Sequence, residues 1–161
     1  MQGDTLDPDN VVEVLKGATG ATAVLMAVGV DPLNESDVVT RTVRNLVRAM
    51  PVAGVQRYLG ITGTAQLQPH GLGRLTQAVV RRVIKAAIDH QGAYDAVVAS
   101  DLDYVLAACP YIKDGAHPGR WSEHLDGFPG GYRTIAPGDV AAFLVGELAR
   151  PRHHRRAVGI W

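Results

Sequence analysis

The sequence has few of the features that mark secreted, membrane-spanning or nucleic-acid-binding proteins. Its single cysteine, Cys109, excludes an internal disulfide and is typical of a reducing compartment. The longest apolar run, residues 23 to 30, is too short to cross a bilayer. Sixteen basic residues balance sixteen acidic ones, so the charge predicts no nucleic-acid surface. We therefore expect a soluble, cytoplasmic protein that binds a small-molecule substrate and uses neither nucleic acid nor membrane.

Patterns of catalytic and metal-binding residues are also scarce. No tyrosine is followed by a lysine four residues later, which excludes a tyrosine–lysine proton donor at that spacing. Cys109 has no identifiable base partner, so the sequence gives little support to a nucleophilic role. His153 and His154 stand next to each other among arginines, and this favours a solvated basic turn over a metal or phosphate site. No metal site is predicted.

What the sequence does have is a regular alternation of two kinds of apolar segment. Some repeat apolar residues at helical spacing, and others are short runs of small and β-branched residues typical of buried strands. The alternation predicts an α/β fold with a parallel sheet, with the helices at residues 36–50 and 76–98 on opposite sides of it. The other predicted segments are helices at 8–17 and 137–149 and strands at 21–29, 55–62, 102–110, 132–136 and 155–161.

One short segment, GATG at residues 17–20, resembles the glycine-rich turn that binds the pyrophosphate of a dinucleotide. Such a turn follows a strand and opens a helix, whose N-terminus then faces the phosphate. Here the order is reversed, because a helix starting after Asp7 precedes the glycines and a strand follows them. A third glycine is also missing. We interpret Gly17 and Gly20 as an ordinary helix-to-strand connection.

Longer segments carry a resemblance to a known family. GDTLDPDNV, a strand ending in AVG, PVAGVQR, SDLDYVLAACPYIKDG and YRTIAPGDVAAFL follow one another in this order. The sequence resembles the atypical short-chain dehydrogenases, in the NAD(P)H-binding branch that contains the biliverdin-IXβ/flavin reductases and the nitrogen-metabolite-repressor-like proteins. The likeness covers nearly the whole chain. It implies an NAD(P)-binding, Rossmann-type parallel sheet, with NADP or NAD as the cofactor.

The resemblance begins partway through the domain of that family. Members open with a strand, a GxTGxxG turn and a helix, and then another strand and helix, before the Gly3-Asp4 pair of this chain. This implies a single, partial, N-terminally truncated Rossmann-like domain over residues 1–161. Either the true start lies upstream or the chain is a decayed or repurposed fragment. The strand at 22–28 would then be an unpaired apolar edge, which predicts self-association.

The resemblance also implies positions for the cofactor. Asp4 and Thr5 would lie near the adenine, and Thr62 matches a hydroxyl position at the end of a strand. Val28 and Gly29 either pass close to the ribose or pyrophosphate or form an ordinary strand end. All of these residues are therefore candidates for cofactor binding.

A second group of candidates would surround the nicotinamide and the substrate. Pro110, Tyr111 and Ile112 match the segment that covers the nicotinamide in the family. His90 either faces the substrate pocket or is a solvated helix histidine. His90 and Tyr111 are the candidate catalytic residues. The resemblance to the reductase-like branch implies that few special side chains are needed, because positioning of the hydride donor and acceptor is the main requirement and solvent can supply the proton.

Two classes of function remain open at this point. The first is an NAD(P)H-dependent reductase of a small planar acceptor of the flavin or quinone type. The alternative is a non-catalytic protein that senses NAD(P) or regulates a partner. Since no phosphate-binding turn occurs in the right order, we expect the 161-residue chain to bind NAD(P)H weakly or not at all, and the chain could be inactive as it stands.

Overall fold

The computed structural model describes residues 2–30, 36–69 and 85–161. In these ranges the chain forms four α-helices, nine strands and a short 3-10 turn at Thr64–Gln66. The helices are α1 (Pro8–Gly17), α2 (Val38–Val52), α3 (Lys85–Val98) and α4 (Pro137–Ala149). The strands are β1 (Ala23–Met26), β2 (Arg57–Gly63), β3 (Gln68–Pro69), β4 (Asp103–Cys109), β5 (Tyr111–Ile112), β6 (Glu123–Leu125), β7 (Gly127–Phe128), β8 (Thr134–Ile135) and β9 (Arg156–Ile160).

A five-stranded sheet organises these elements, in the order β1, β2, β4, β9, β6. The first four strands run parallel, and β6 joins β9 antiparallel. The predicted α/β fold with a parallel sheet is confirmed, including the parallel pairing of β1 with β2. Two small sheets, β3 with β7 and β5 with β8, lie outside the central one.

The helices cover both faces of the sheet, but their distribution corrects one prediction. Helices α2 and α3 pack against each other, so they share a face instead of lying on opposite sides. The reason is that β1, β2 and β4 are added in one direction, and crossovers of one hand then place successive helices on the same side. Helix α4 packs on the other face, although β9 extends the sheet in the same direction. The connection from β4 to β9 therefore has the opposite hand.

The residues of the two cores alternate along the strands. Tyr58 and Tyr104 point into the core shared with α1, α2 and α3. Their neighbours Leu59 and Val105 point to the other face, where they pack with Phe143 of α4. This period of two is the expected consequence of strand geometry in a sheet covered on both sides.

The GATG segment is a helix-to-strand connection, as predicted. Helix α1 begins where the Asp7 side chain accepts hydrogen bonds from the backbone N–H groups of Asp9 (2.9 Å) and Asn10 (3.3 Å). It ends at Gly17, and Gly20 then takes a φ of +81°, which favours glycine. Strand β1 follows immediately, so no helix opens from these glycines.

Other boundaries differ in detail from the predictions. Helix α2 runs past residue 50 to Val52, with Pro51 in its last turn. The predicted strand at 132–136 is only Thr134–Ile135, and it pairs with β5 outside the central sheet. The stretch between β5 and β8 contains β6 and β7, which the glycine- and proline-rich sequence did not reveal. The predicted helix at 76–98 lies outside the described residues as far as residue 84.

Strand β1 is an edge of the central sheet within the described part of the chain. Its other side carries no described partner strand, and Leu25 is 44% exposed. The strand contains neither proline nor a charged residue, which are the usual means of blocking edge pairing. Among the described helices none is long and apolar enough to cross a membrane.

Candidate functional site

A cavity of about 430 Å³ lies where β2 and β4 end. Four parts of the chain line it: residues 63–66 at and after the end of β2, residues 87 and 90 of α3, residues 109–111 at and after the end of β4, and residues 128 and 131–133 of the connection toward α4. Ligands of parallel α/β sheets bind outside the carboxyl ends of the strands. The position and size of the cavity are typical of a small-molecule site.

Three of the predicted site residues come together in this cavity. His90, Pro110 and Tyr111 all line it, although they come from α3 and from the segment after β4. The Tyr111 ring is 62% exposed and so forms part of the rim. Ile112 does not line the cavity, and it pairs with Ile135 in the small sheet of β5 and β8.

Thr62 lies close by in sequence but does not line this cavity. It is buried on the side of the sheet covered by α2 and α3, next to a small void of about 10 Å³ that Val39 and Ala93 also line. Its hydroxyl has no hydrogen-bond partner among the described residues. A direct contact with a ligand in the main cavity is therefore not supported by its orientation.

The two N-terminal candidates form a separate surface. Asp4 and Thr5 border an apolar depression of about 210 Å³ between α1 and α2. The Thr5 hydroxyl lies 2.9 Å from that of Thr42, and the Asn45 side chain donates a hydrogen bond to the Thr5 carbonyl at 2.9 Å. These contacts fix the N-terminal segment against α2. The Asp4 side chain accepts a hydrogen bond from the backbone N–H of Leu6 at 2.8 Å, so both side chains have partners within the chain, and their role in cofactor binding stays a prediction.

Val28 and Gly29 follow β1 and remain outside the main cavity. Val28 packs against the core on the α2 side. At Gly29 nothing lies within 4 Å of the point where a Cβ would stand, so the structure leaves open space there. Both alternatives for these two residues, a position close to the ribose or pyrophosphate and an ordinary strand end, therefore remain predictions.

Two titratable side chains of the cavity wall, His90 and Cys109, are held in their neutral forms. Burial lowers the pKa of His90, and the nearby Asp89 carboxylate offsets this only in part, so the imidazole is neutral at pH 7. Burial raises the pKa of the Cys109 thiol to about 12. Its Sγ donates to the carbonyl of Ala107 at 3.6 Å. A thiol held in this form is a poor nucleophile, in agreement with the sequence-based interpretation.

Two cavity residues carry polar groups that the sequence patterns did not single out. Gln66 is 5% exposed, and its Nε2 donates to the carbonyl of Ala87 at 3.0 Å. Its Oε1 has no partner among the described residues. Arg133 donates to the carbonyl of Gly130 at 3.3 Å, and its guanidinium lies 4.9 Å from the Trp161 ring. Neither residue belongs to a recurring motif, so no local signal could have identified them.

A third unpredicted residue occupies the N-terminus of α2. The Asp89 carboxylate, 3% exposed, accepts hydrogen bonds from the backbone N–H groups of Val39 (3.1 Å) and Thr40 (2.7 Å). The Thr40 hydroxyl donates to the Asp89 carbonyl at 2.6 Å. Helix N-termini bind phosphate through the same groups. The Asp89 carboxylate therefore occupies the position at the N-terminus of α2 where an external anion would otherwise bind.

Comparison with known proteins identifies the type of domain. A family model described as NAD(P)H-binding matches residues 1–151. No curated protein matches the sequence significantly. Solved structures give the fold, since all those compared here are less than 25% identical to the chain. A short-chain dehydrogenase/reductase from Veillonella parvula, in complex with NADP, is 13% identical with a TM-score of 0.77, covering 99% of this chain and 70% of that one.

Two further structural neighbours have similar scores. An anaerobillin reductase from Escherichia coli O157:H7 is 16% identical, with a TM-score of 0.71, and the match covers 98% of this chain and 72% of that one. A candidate NADH-flavin reductase from Streptococcus pneumoniae is 19% identical, with a TM-score of 0.69, covering 93% and 76% respectively. The neighbours share the mostly parallel α/β architecture described above.

Proposed function

Because the chain belongs to the NAD(P)H-binding family, we propose that it is an oxidoreductase that holds a small planar acceptor, of flavin or quinone type, in the cavity beside His90. The observation that carries this proposal is the cavity itself, which lies at the carboxyl ends of β2 and β4. It brings together Pro110, Tyr111 and His90, which the family resemblance associates with the nicotinamide and the substrate. Two structural neighbours are named for the reduction of anaerobillin and of flavin.

The cavity wall suits a flat, weakly polar ring. Tyr111 and Tyr132 offer exposed aromatic rings at the rim, and the buried Phe128 lies further in. Aromatic faces stack on planar ligands with little loss of side-chain freedom. Arg133 is the cationic residue of the described cavity wall, and it can attract a negatively charged substituent of the acceptor.

His90 would act as a hydrogen-bond donor in this site. NAD(P)H, when bound, supplies a hydride. Since the imidazole is neutral, it stabilises negative charge that develops on the acceptor by donating a hydrogen bond, while solvent supplies the proton. Tyr111, at the rim, would position the acceptor ring. No buried acid is required for this role.

The described residues fit the pyrophosphate of NAD(P)H poorly. The glycines of GATG precede a strand, and the N-terminus of α2 is occupied by Asp89. Each missing charge-assisted hydrogen bond costs about 1.5–3 kcal/mol, so several together reduce affinity by orders of magnitude. We therefore propose that the 161-residue chain binds NADPH and NADH weakly. Within the alternative function, the same observation favours a non-catalytic protein that regulates a partner over one that senses NAD(P).

Calorimetric titration with NADPH and NADH tests the weak binding. We expect dissociation constants well above the micromolar range, and micromolar binding would contradict the proposal. Acceptor reduction is then measured at saturating NADPH with flavin mononucleotide and menadione. A wild-type chain that binds acceptors without reducing them would support the non-catalytic alternative.

A pair of histidine variants tests the role of His90. We expect His90→Gln to lower the turnover number at least about tenfold, since a hydrogen bond that strengthens with developing charge is lost. His124→Gln, on exposed β6, is the matched control and should retain wild-type turnover. Equal rates for the two variants would remove His90 from the mechanism.

A further inference from the structure

We propose that the cavity selects rings whose edge carries an N–H group next to a carbonyl, as in an imide or lactam, and discriminates against quinones. The inference rests on the proposed acceptor site but goes further, because it names the part of the acceptor that is recognised. Two buried polar atoms of residues that line the cavity carry it: Oε1 of Gln66 and Nδ1 of His90. Neither has a hydrogen-bond partner within the ranges that the structure describes.

Gln66 presents a fixed acceptor. Because its Nε2 donates to the Ala87 carbonyl, the orientation of the amide group is defined and Oε1 is left to accept. This oxygen lies 2.9 Å from the point where a Cβ on Gly63 would stand. Gly63 also lines the cavity, and a side chain at this position would collide with the oxygen.

His90 belongs to the same wall. The Ala87 carbonyl that orients Gln66 lies three residues, or about one helical turn, before His90 on α3. The neutral imidazole carries one N–H and one bare nitrogen. With the proton on Nδ1, His90 donates where Gln66 accepts, and the wall offers one group of each kind.

An imide or lactam edge complements this pair. Its N–H donates to Gln66 Oε1, and its carbonyl accepts from His90 Nδ1–H. A buried polar group without a partner is costly, so a ligand that satisfies both atoms gains more than one that satisfies one. A quinone has carbonyl acceptors only and leaves the Gln66 oxygen unsatisfied. Thr62 is excluded from this recognition, because its unpartnered hydroxyl faces a different void.

The test compares two flavins in the absence of NAD(P)H. Lumiflavin and lumiflavin methylated on its imide nitrogen are titrated into the wild-type chain, with fluorescence quenching as the readout. We expect the methylated compound to bind about tenfold more weakly, the typical effect of losing one hydrogen bond to a buried group. Equal affinities, or binding of neither flavin, would overturn the proposal.

The variant Gln66→Met separates hydrogen bonding from steric exclusion of the methyl group. We expect it to weaken lumiflavin binding about tenfold and to bind the two flavins equally, while menadione affinity stays within about twofold of wild type. A methyl penalty that persists in the variant would overturn the proposal. Circular dichroism checks that the variant is folded. If it is unfolded, the comparison of the two flavins with the wild-type chain tests the proposal by itself. Imide selectivity without any flavin reduction would refute the proposed function and leave this inference standing.

Discussion

The two ends of the central sheet differ in how their polar groups are satisfied. At the amino end, charges are paired with charges. Arg57, at the start of β2, contacts Asp103 at 2.7 Å and Glu147 at 3.5 Å. The fully buried Glu147 also contacts Arg152 at 3.0 Å and His153 at 2.8 Å. This network ties the starts of β2 and β4 to the end of α4, so its role is structural.

At the carboxyl end, by contrast, the buried atoms that lack a partner among the described residues belong to neutral groups. These atoms include the amide oxygen of Gln66 and Nδ1 of His90, both in residues that line the cavity, and the hydroxyl oxygen of Thr62 nearby. Arg57 Nε and Asp103 Oδ1 at the amino end lack one too, but both side chains are charged and are paired with each other through other atoms. Unsatisfied groups reduce stability unless something binds them. The contrast teaches that paired charges with shifted pKa values do not by themselves mark the proposed functional end of the sheet. The unpaired neutral groups are the better indicator.

The largest effect should come from breaking the network at the amino end. Replacing the buried carboxylate in Glu147→Leu leaves Arg57 and His153 without it, and we expect a loss of about 3 kcal/mol in the free energy of unfolding. For a chain of this size the melting temperature would fall by roughly 6–12 °C. Glu123→Gln, at the exposed margin of the network, should cost less than about 1 kcal/mol. Similar losses in the two variants would mean that burial does not set the strength of these pairs.

Next in size is the effect of removing the internal anion at the N-terminus of α2. We expect Asp89→Ala to lower the free energy of unfolding by about 1–2 kcal/mol, because two backbone N–H groups lose their acceptor. Phosphate should then raise the melting temperature of the variant more than that of wild type. Asp95→Ala, on the same helix, is the control and should show neither effect. Absence of a phosphate effect in Asp89→Ala would show that the vacated site does not accept anions.

Features that depend on residues close together in the sequence could be predicted, whereas contacts between residues far apart in the sequence could not. Helix α4 has the predicted bounds of residues 137–149, and β1, β2, β4 and β9 occur where buried apolar runs stand. These elements depend on local periodicity. The Asp89 cap does not, because its acceptor is 49 residues from the Thr40 amide in sequence. Gln66 could not be predicted as a site residue for the same reason. Its side chain finds its hydrogen-bond partner, the Ala87 carbonyl, only because the 3-10 turn packs against α3.

A smaller effect is expected from acid titration of the amino end. Burial opposes ionisation of Asp103, but hydrogen bonds from His154 and Arg57 hold the pKa of its carboxyl below the ordinary value. Stability from this pair is thus fully present above about pH 5 and is lost as the pH falls through and below about 4. We expect Asp103→Asn to remove less than about 1 kcal/mol of this pH dependence, because the carboxylate is partly exposed. Chemical unfolding at several pH values measures it, and parallel curves for wild type and variant would contradict the assignment.

The smallest effect on stability is expected at the side of the sheet, away from both ends. We propose that the chain self-associates through the edge of β1. Leu25→Lys should change the free energy of unfolding by no more than about 0.5 kcal/mol, yet shift the chain toward monomer. Val145→Lys, exposed on α4, is the control and should leave assembly unchanged. Analytical ultracentrifugation compares them, and a monomeric wild-type chain would refute the proposal.

The connection from β4 to β9, which has the opposite hand, also affects which part of the cavity can change during evolution. It contributes Phe128 and residues 131–133 to the cavity wall, while its strands, apart from β6, stay outside the central sheet. Connecting segments tolerate insertions and substitutions better than the elements they join. The exposed part of this cavity wall, residues 131–133, can therefore change without disturbing the packing of β2, β4 and their helices, whereas Phe128 belongs to that core. If evolution selected for a different acceptor, we expect substitutions in the part of the cavity wall that this connection contributes. Gln66 and His90, in the other part of the wall, would be retained.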